Sequence, residues 1–258
     1  MKTDLGLAGT VVLVTGGVRG VGLGISRVFL AHGAHVVTCA RREPEAPLAG
    51  TEFIACDVRE PDQVAAMVQR IVTEHDRLDV VVNNAGGSPF VQAADASPRL
   101  HDKIVQLNLL APLLVAQQAN AVMQGQDGGG SIVMISSVSG TRPSPGTAAY
   151  GAAKAGLDNL TASLAVEWAP RVRVNALDVG MVRTEQAHLH YGSEAAVEAV
   201  GKTVPLGRLA EPEEVGACAA FLASGLASYV SGATLRVHGG GEMPAFHAAT
   251  DVNHREDS

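Results

Sequence analysis

Thr15-Gly16-Gly17-Val18-Arg19-Gly20-Val21-Gly22 follows the apolar run Val11-Val12-Leu13-Val14, and beyond it Val21, Ile25, Val28 and Phe29 fall at helical spacing. A strand, a glycine-rich turn and a helix in that order form the context of a dinucleotide site. Glycines let the backbone approach a pyrophosphate, which then rests on the positive end of the helix. The stretch marks Gly16, Arg19, Gly20, Val21 and Gly22 as candidate cofactor-binding positions.

Outward from this unit, apolar strand-like runs alternate with longer stretches of helical spacing. Strands are predicted at 11–14, 35–40, 52–56, 80–83, 131–136, 172–177 and 233–238. Val64, Met67, Val68, Ile71 and Val72 repeat as one helix face, Gly33 and Pro61 supply stop and start signals, and the glycines at 128–130 turn the chain into the fifth strand. This alternation predicts an α/β Rossmann fold, a doubly wound, seven-stranded parallel sheet with helices on both faces. No repeat or long linker divides the chain. One domain is expected over residues 1–241, with a polar, poorly ordered or subunit-crossing tail over 242–258.

Composition narrows the partners. With 47% hydrophobic and 17% charged residues, the 258-residue chain can bury a large core. A net charge of −7 with no basic run argues against a nucleic acid or an anionic membrane. Cys39, Cys56 and Cys218 are odd in number, lack CxxC spacing, and read as small buried hydrophobes in a reducing compartment. No apolar run approaches the ~20 residues that span a bilayer. The start Met1-Lys2-Thr3-Asp4 has no signal-peptide pattern, so a cytoplasmic location is expected.

Tyr150 and Lys154 stand at i and i+4, on one face if the segment is helical. A phenol beside an ammonium forms an acid/base unit, because the cation favours the phenolate. Ser137 lies thirteen positions before Tyr150, and Asn83-Asn84-Ala85-Gly86 and Asn108 lie between the glycine turn and that serine. In order and approximate spacing these five features resemble the short-chain dehydrogenase/reductase family, over residues 7–241.

The resemblance implies a catalytic set of Asn108, Ser137, Tyr150 and Lys154. In reduction, Tyr150 would protonate the carbonyl oxygen that receives hydride, Ser137 would hydrogen-bond that oxygen, and Lys154 would bind the nicotinamide ribose and lower the tyrosine pKa. Ser136 and Ser139 are the neighbours to be told apart from Ser137, and the thirteen-residue offset favours Ser137. The resemblance also places Asp57 and Val58 at the adenine, Asn84, Ala85 and Gly86 near the pyrophosphate and ribose, and Gly180, Val182 and Thr184 at the carboxamide. Tyr150 and Lys154 count as cofactor contacts as well.

Two residue-level arguments stand beside it. A fold of this type that selects NAD(H) carries a carboxylate at the end of the second strand, where this chain has Ala40-Arg41-Arg42. A guanidinium suits a 2′-phosphate, so Arg41, with Arg19, makes NADP(H) the expected cofactor and NAD(H) the alternative. Pro112 lies inside a helical pattern over 104–115 and offers no N–H to the residue four back, Asn108. The freed carbonyl would hold a water that relays protons from Lys154.

The chain departs from the family where Val179 and His238 replace a usual proline and aspartate. The first change questions the rigidity of the loop over 178–184, and the second reads as structural. Substrate contacts are expected from 87–91, 141–145 and a lid over 185–202. His188, His190 and Tyr191 in the lid read as solvated. The His-x-His pair lacks a further ligand at a zinc spacing, so no metal is expected. The substrate is expected to be a small ketone or secondary alcohol, a 3-oxoacyl thioester among them, with steroid, sugar and polyketide alcohols as alternatives. A non-catalytic NADP-binding sensor is the competing class. A homo-oligomer, tetramer or dimer, is expected through the helices over 104–123 and 152–168.

Overall fold

In the computed structural model, residues 4–246 are described. Seven strands, β1 (Val11–Thr15), β2 (His35–Ala40), β3 (Thr51–Ala55), β4 (Val80–Asn83), β5 (Gly130–Ser137), β6 (Val172–Val179) and β7 (Thr234–Val237), form one parallel sheet. Their order is β3-β2-β1-β4-β5-β6-β7, so the winding reverses between β1 and β4, and ligands enter at that switch point.

Both sheet faces are covered, which is why the strands read as unbroken apolar runs. Val11 and Leu13 join one core with residues of α2 (Pro61–His75), α4 (Ala111–Met123) and α5 (Ala148–Glu167). Val12 and Val14 join the other with residues of α1 (Gly20–Ala31) and α8 (Pro212–Ala223). The last two helices cross closely at glycine. A Cβ on Gly24 would meet the Pro212 backbone, and one on Gly216 would lie 2.8 Å from a Val28 methyl.

Two departures from the expected elements bear on the site. The helical pattern over 104–115 is three pieces: α3 (Pro98–Val105), a π-helical turn at Gln106–Leu110, and α4. The Ala111 amide reaches back five residues to the Gln106 carbonyl, the one-residue slip expected where Pro112 breaks the i−4 ladder. β6 runs two residues past its predicted end, so Asp178 and Val179 pair with Ser136 and Ser137. Val179 keeps an N–H that proline lacks, and strand pairing holds the start of the loop whose rigidity its sequence put in question.

The lid is two helices, α6 (Ala187–Tyr191) and α7 (Glu194–Gly201), with Ser193 accepting from the Ala196 amide at 3.3 Å as N-cap. Ala187, Val197 and Leu209 form its small core. An Arg183–Glu194 ion pair joins it to the preceding loop. The His190 side chain, half of the His-x-His pair, lies outside the described residues, as does the tail beyond 246. The tail's first residues are anchored rather than loose: the Met243 amide donates to Thr203 at 3.1 Å, and Glu242 pairs with Arg142 at 2.6 Å.

Candidate active site

A cleft of about 830 Å³ opens along the carboxyl ends of the strands and reaches α5 and the lid. The glycine turn forms its central wall. Gly16 and Gly20 adopt φ of +65° and +53°, which side chains with a Cβ disfavour. A Cβ on Gly22 would run into the Gly16 carbonyl and the Asn84 amide, so the backbone comes unusually close there. Arg19 caps α1 with an extended backbone and no side-chain bond, and no acid sits in the first turn. Beyond Gly20, whose amide the lid takes up, the helix end presents its next N–H groups and positive potential to an anion, a cradle that fits a pyrophosphate.

The neighbouring strand ends are tied to this turn. The Thr15 hydroxyl accepts from the amides of Asn84 and Ala85 at 3.0 Å each, and the Asn84 side chain donates to the Thr15 carbonyl at 2.9 Å. Val21 and Gly86 also line the cleft. Gly20 stands beside Thr184, and its amide donates to Glu185 at 3.0 Å, joining the turn to the lid.

At the other end, Arg41, Asp57 and Val58 line the wall. Ala40 ends β2, so no carboxylate occupies that strand end, and Arg41 and Arg42 are exposed. Arg59, which the sequence reading passed over, grips Asp57 with two bonds of 2.9 and 2.5 Å. That bidentate hold keeps the Asp57 carboxyl below the usual carboxylate range. The signal was present in Asp57-Val58-Arg59, where a two-residue offset lets a long guanidinium fold back on the acid.

The candidate catalytic residues meet at the opposite wall. Ser137 ends β5, Tyr150 lies in the first turn of α5, and Lys154 follows one turn later. Ser137 and Tyr150 both line this wall, and the Ser137 oxygen accepts from the Ser139 amide at 3.2 Å. The Lys154 ammonium lies 5.5 Å from the Tyr150 ring centre and donates to the Ile135 carbonyl at 2.7 Å. Burial raises the Tyr150 pKa, the neighbouring Ser137 hydroxyl lowers it, and the Asp178 charge raises it further. The lowering expected from Lys154 is therefore not found: the phenol is raised, because burial disfavours the phenolate. Burial also pulls Lys154 down to about 8, and the Asp158 charge opposes this.

Asn108 does not line the cleft. It is buried in the π turn behind Gly86, where a Cβ would stand 2.7 Å from its side-chain oxygen and 3.5 Å from the Lys154 ammonium. Its amide donates to the Gly87 and Ile104 carbonyls at 2.9 Å, and its oxygen accepts from the Gly87 amide at 2.9 Å. Gly180 packs on His238, where a Cβ would stand 2.8 Å from the His238 Cβ. Val182 bridges Ala210, and Gly180, Val182 and Thr184 all border the cleft.

Asp178 was also missed. It is fully buried in β6, its Oδ2 accepts from Thr141 at 3.4 Å and faces Arg236 at 3.7 Å, and its Oδ1 has no partner. The signal was an acid inside an apolar strand run. Among the described residues, Glu52, Glu74 and His75 are grouped closely enough to ligate an ion. They lie where β3 starts and α2 ends, and they form exposed ion pairs, His75 to Glu52 at 3.1 Å and Glu74 to Arg70 at 2.8 Å.

The family profile described as enoyl-(acyl carrier protein) reductase matches residues 16–242. Human dehydrogenase/reductase SDR family member 4 is 34% identical over 245 residues, covering 91% of this chain and 88% of its own. The chain belongs to the short-chain dehydrogenase/reductase family. Rabbit (Oryctolagus cuniculus) L-fucose dehydrogenase is 37% identical over 254 residues, covering 94% and 88% of the two chains. The ligand-free structure of Thermoplasma acidophilum aldohexose dehydrogenase superposes with a TM-score of 0.87 at 32% identity, over 92% of this chain and 96% of that one. As a short-chain dehydrogenase/reductase, the protein is an NAD(P)-dependent oxidoreductase acting on alcohol and carbonyl groups of small molecules. Among the described residues no helix is long and apolar enough to cross a membrane.

Proposed function

We propose that the protein is an NADP(H)-dependent reductase of ketones, 3-oxoacyl thioesters among them, with Tyr150 as proton donor. The observation that carries the reading is the convergence of Ser137, Tyr150 and Lys154 on one cleft wall, with the Lys154 ammonium 5.5 Å from the Tyr150 ring centre. A bound nicotinamide supplies or accepts the hydride. Gly16, Arg19, Gly20, Val21 and Gly22 would hold the pyrophosphate, and Asp57, Val58, Asn84, Ala85 and Gly86 the adenosine and ribose side. Gly180, Val182 and Thr184 would hold the carboxamide. Ser137 would hydrogen-bond the substrate oxygen and Tyr150 would give it a proton. A phenol kept neutral by burial is suited to donate in that direction. Asn108 would position the backbone at Gly86 and Gly87, with the π turn behind Lys154 as the place for a water relay.

The 2′-phosphate preference rests on Ala40-Arg41-Arg42, where β2 ends without a carboxylate. A second reading, oxidation of sugar hydroxyls with NAD(H) or NADP(H), is favoured by the likeness to L-fucose and aldohexose dehydrogenases. We place the protein in the cytoplasm as a homo-oligomer, most simply a tetramer. The exposure of Leu110 beside α4 and of Val166 near the end of α5 supports a helix-face interface.

NADPH and NADH consumption against ketones and 3-oxoacyl thioesters, and their formation with aldoses, tests these readings. Turnover with NADPH that Tyr150→Phe removes is the expected result. Preference for NADH overturns the arginine argument, and aldose oxidation alone establishes the second reading. Tight NADPH binding that persists without turnover on the whole panel points to a non-catalytic sensor.

A further inference from the structure

Lys154 is one of the few charged side chains buried in the protein, and its ammonium has one hydrogen bond, to the Ile135 carbonyl. An ammonium in so dry a place tends to lose its proton. The catalytic reading needs it charged.

The groups around it are few. On α5 these are Tyr150, one turn before, and Asp158, one turn after. β5 contributes the uncharged Ser136 and Ser137, β6 contributes Asp178, and the π turn contributes Asn108. α3, which also packs on α5, carries the exposed Arg99, Asp102 and Lys103, which water screens, and the half-buried His101. Asp158 is half-buried, and its buried Oδ1 has no hydrogen-bond partner. The Ser136 hydroxyl gives its one proton to the Lys154 carbonyl at 3.3 Å, so it leaves the acid without that donor.

The geometry points to Asp158 as a positioning residue that acts through Lys154, a fixed counter-charge one helical turn away that keeps the buried ammonium protonated. The inference rests on the reading of Lys154 as the cationic partner of Tyr150 and of the cofactor ribose. Asp178 is less suited to the role: Arg236 and Thr141 already occupy one of its oxygens. Burial raises the Asp158 pKa and outweighs the lowering from Ser136 and from the Lys154 charge.

The test is the pH dependence of NADPH binding, followed by nicotinamide fluorescence, together with the pH profile of turnover on the best panel substrate. In the native protein both should fall as pH rises through about 8, where Lys154 loses its proton. In Asp158→Asn that limb should move toward acid by about one pH unit, which is about a fivefold loss at pH 8 and almost none at pH 6. Asp158→Glu should restore the native profile. Where Asp158→Asn does not fold, Asp158→Ser removes the charge with a smaller polar side chain and should show the same displacement. An unmoved limb, or an equal loss at every pH, overturns the assignment. Lys154→Met separates the two layers. If it leaves binding and turnover intact, the reading of Lys154 itself fails. If it abolishes them while Asp158→Asn overlays the native profile, only the role of Asp158 fails.

Discussion

The side chain of Asn108 spans both backbone groups of Gly87, accepting from its amide and donating to its carbonyl at 2.9 Å each. Gly87 needs that clamp. Its φ of +132° lies in a region that side chains with a Cβ rarely adopt, and no hydrophobic packing substitutes for it. The strand end that carries Asn84, Ala85 and Gly86 toward the cleft is thus fixed by a residue that does not touch the cleft.

Asn108→Ala should therefore behave as a loss of positioning. It removes both bonds to Gly87 and the buried bond to the Ile104 carbonyl, leaves a hole where the fully buried side chain sat, and should cost about 1–3 kcal/mol in denaturant unfolding. Turnover should fall by tenfold or more, with a smaller change in cofactor affinity. Unchanged stability and turnover would show that the loop holds itself.

Asp178 places a buried negative charge near Tyr150 and raises the phenol's pKa. Removing that charge favours the phenolate, so the pKa must fall in Asp178→Asn. Alcohol oxidation, which needs the phenolate, should then begin at lower pH, by about half a unit in the kcat/KM profile. Arg236, left without its acid, is exposed enough to be solvated. An unmoved profile would mean that Asp178 is neutral in the native protein.

Gly24 tests packing apart from chemistry. A Cβ there would press on the backbone of Pro212 and Glu213, which a rigid proline cannot relieve. Gly24→Ala should lower thermal stability by about 1–3 kcal/mol through overpacking, despite the higher helix propensity of alanine. Activity per folded molecule should be near native. A stabilised variant would show that α8 can slide away from α1.

The sheet was legible because parallel strands buried on both faces are apolar throughout, and glycine and proline mark their ends. Six of the seven strands lie within one residue of their predicted limits, and β6 runs two further because Asp178 reads as a strand end although it is buried and paired. The glycine turn and the Ser137, Tyr150 and Lys154 wall were legible through short fixed spacings. Partnerships across the fold were not. Asn108 with Gly87 is set by the π slip at Pro112, Glu185 with Gly20 by the path of the lid, and Arg142 with Glu242 by a tail that reads as polar and loose. The balance of forces on Tyr150 was equally hidden, since a residue one turn away is visible in sequence and burial is not.

Cofactor choice is the sharpest remaining consequence of this geometry. Arg41 is exposed at the end of β2, near enough to Asp57 to lower its pKa, and beside a strand end that holds alanine instead of an acid. A guanidinium there gains charge-assisted bonds only when a 2′-phosphate is present, each worth about 1.5–3 kcal/mol. Arg41→Ala should raise the KM for NADPH about tenfold to a hundredfold and leave that for NADH almost unchanged. Placing the carboxylate with Ala40→Asp should go further, repelling the phosphate and accepting from a 2′-hydroxyl, so that the preference reverses. Arg59 is held by Asp57 and is not free to replace Arg41. Initial rates with both cofactors decide the matter, and an equal loss with NADPH and NADH in Arg41→Ala would remove the 2′-phosphate from the argument.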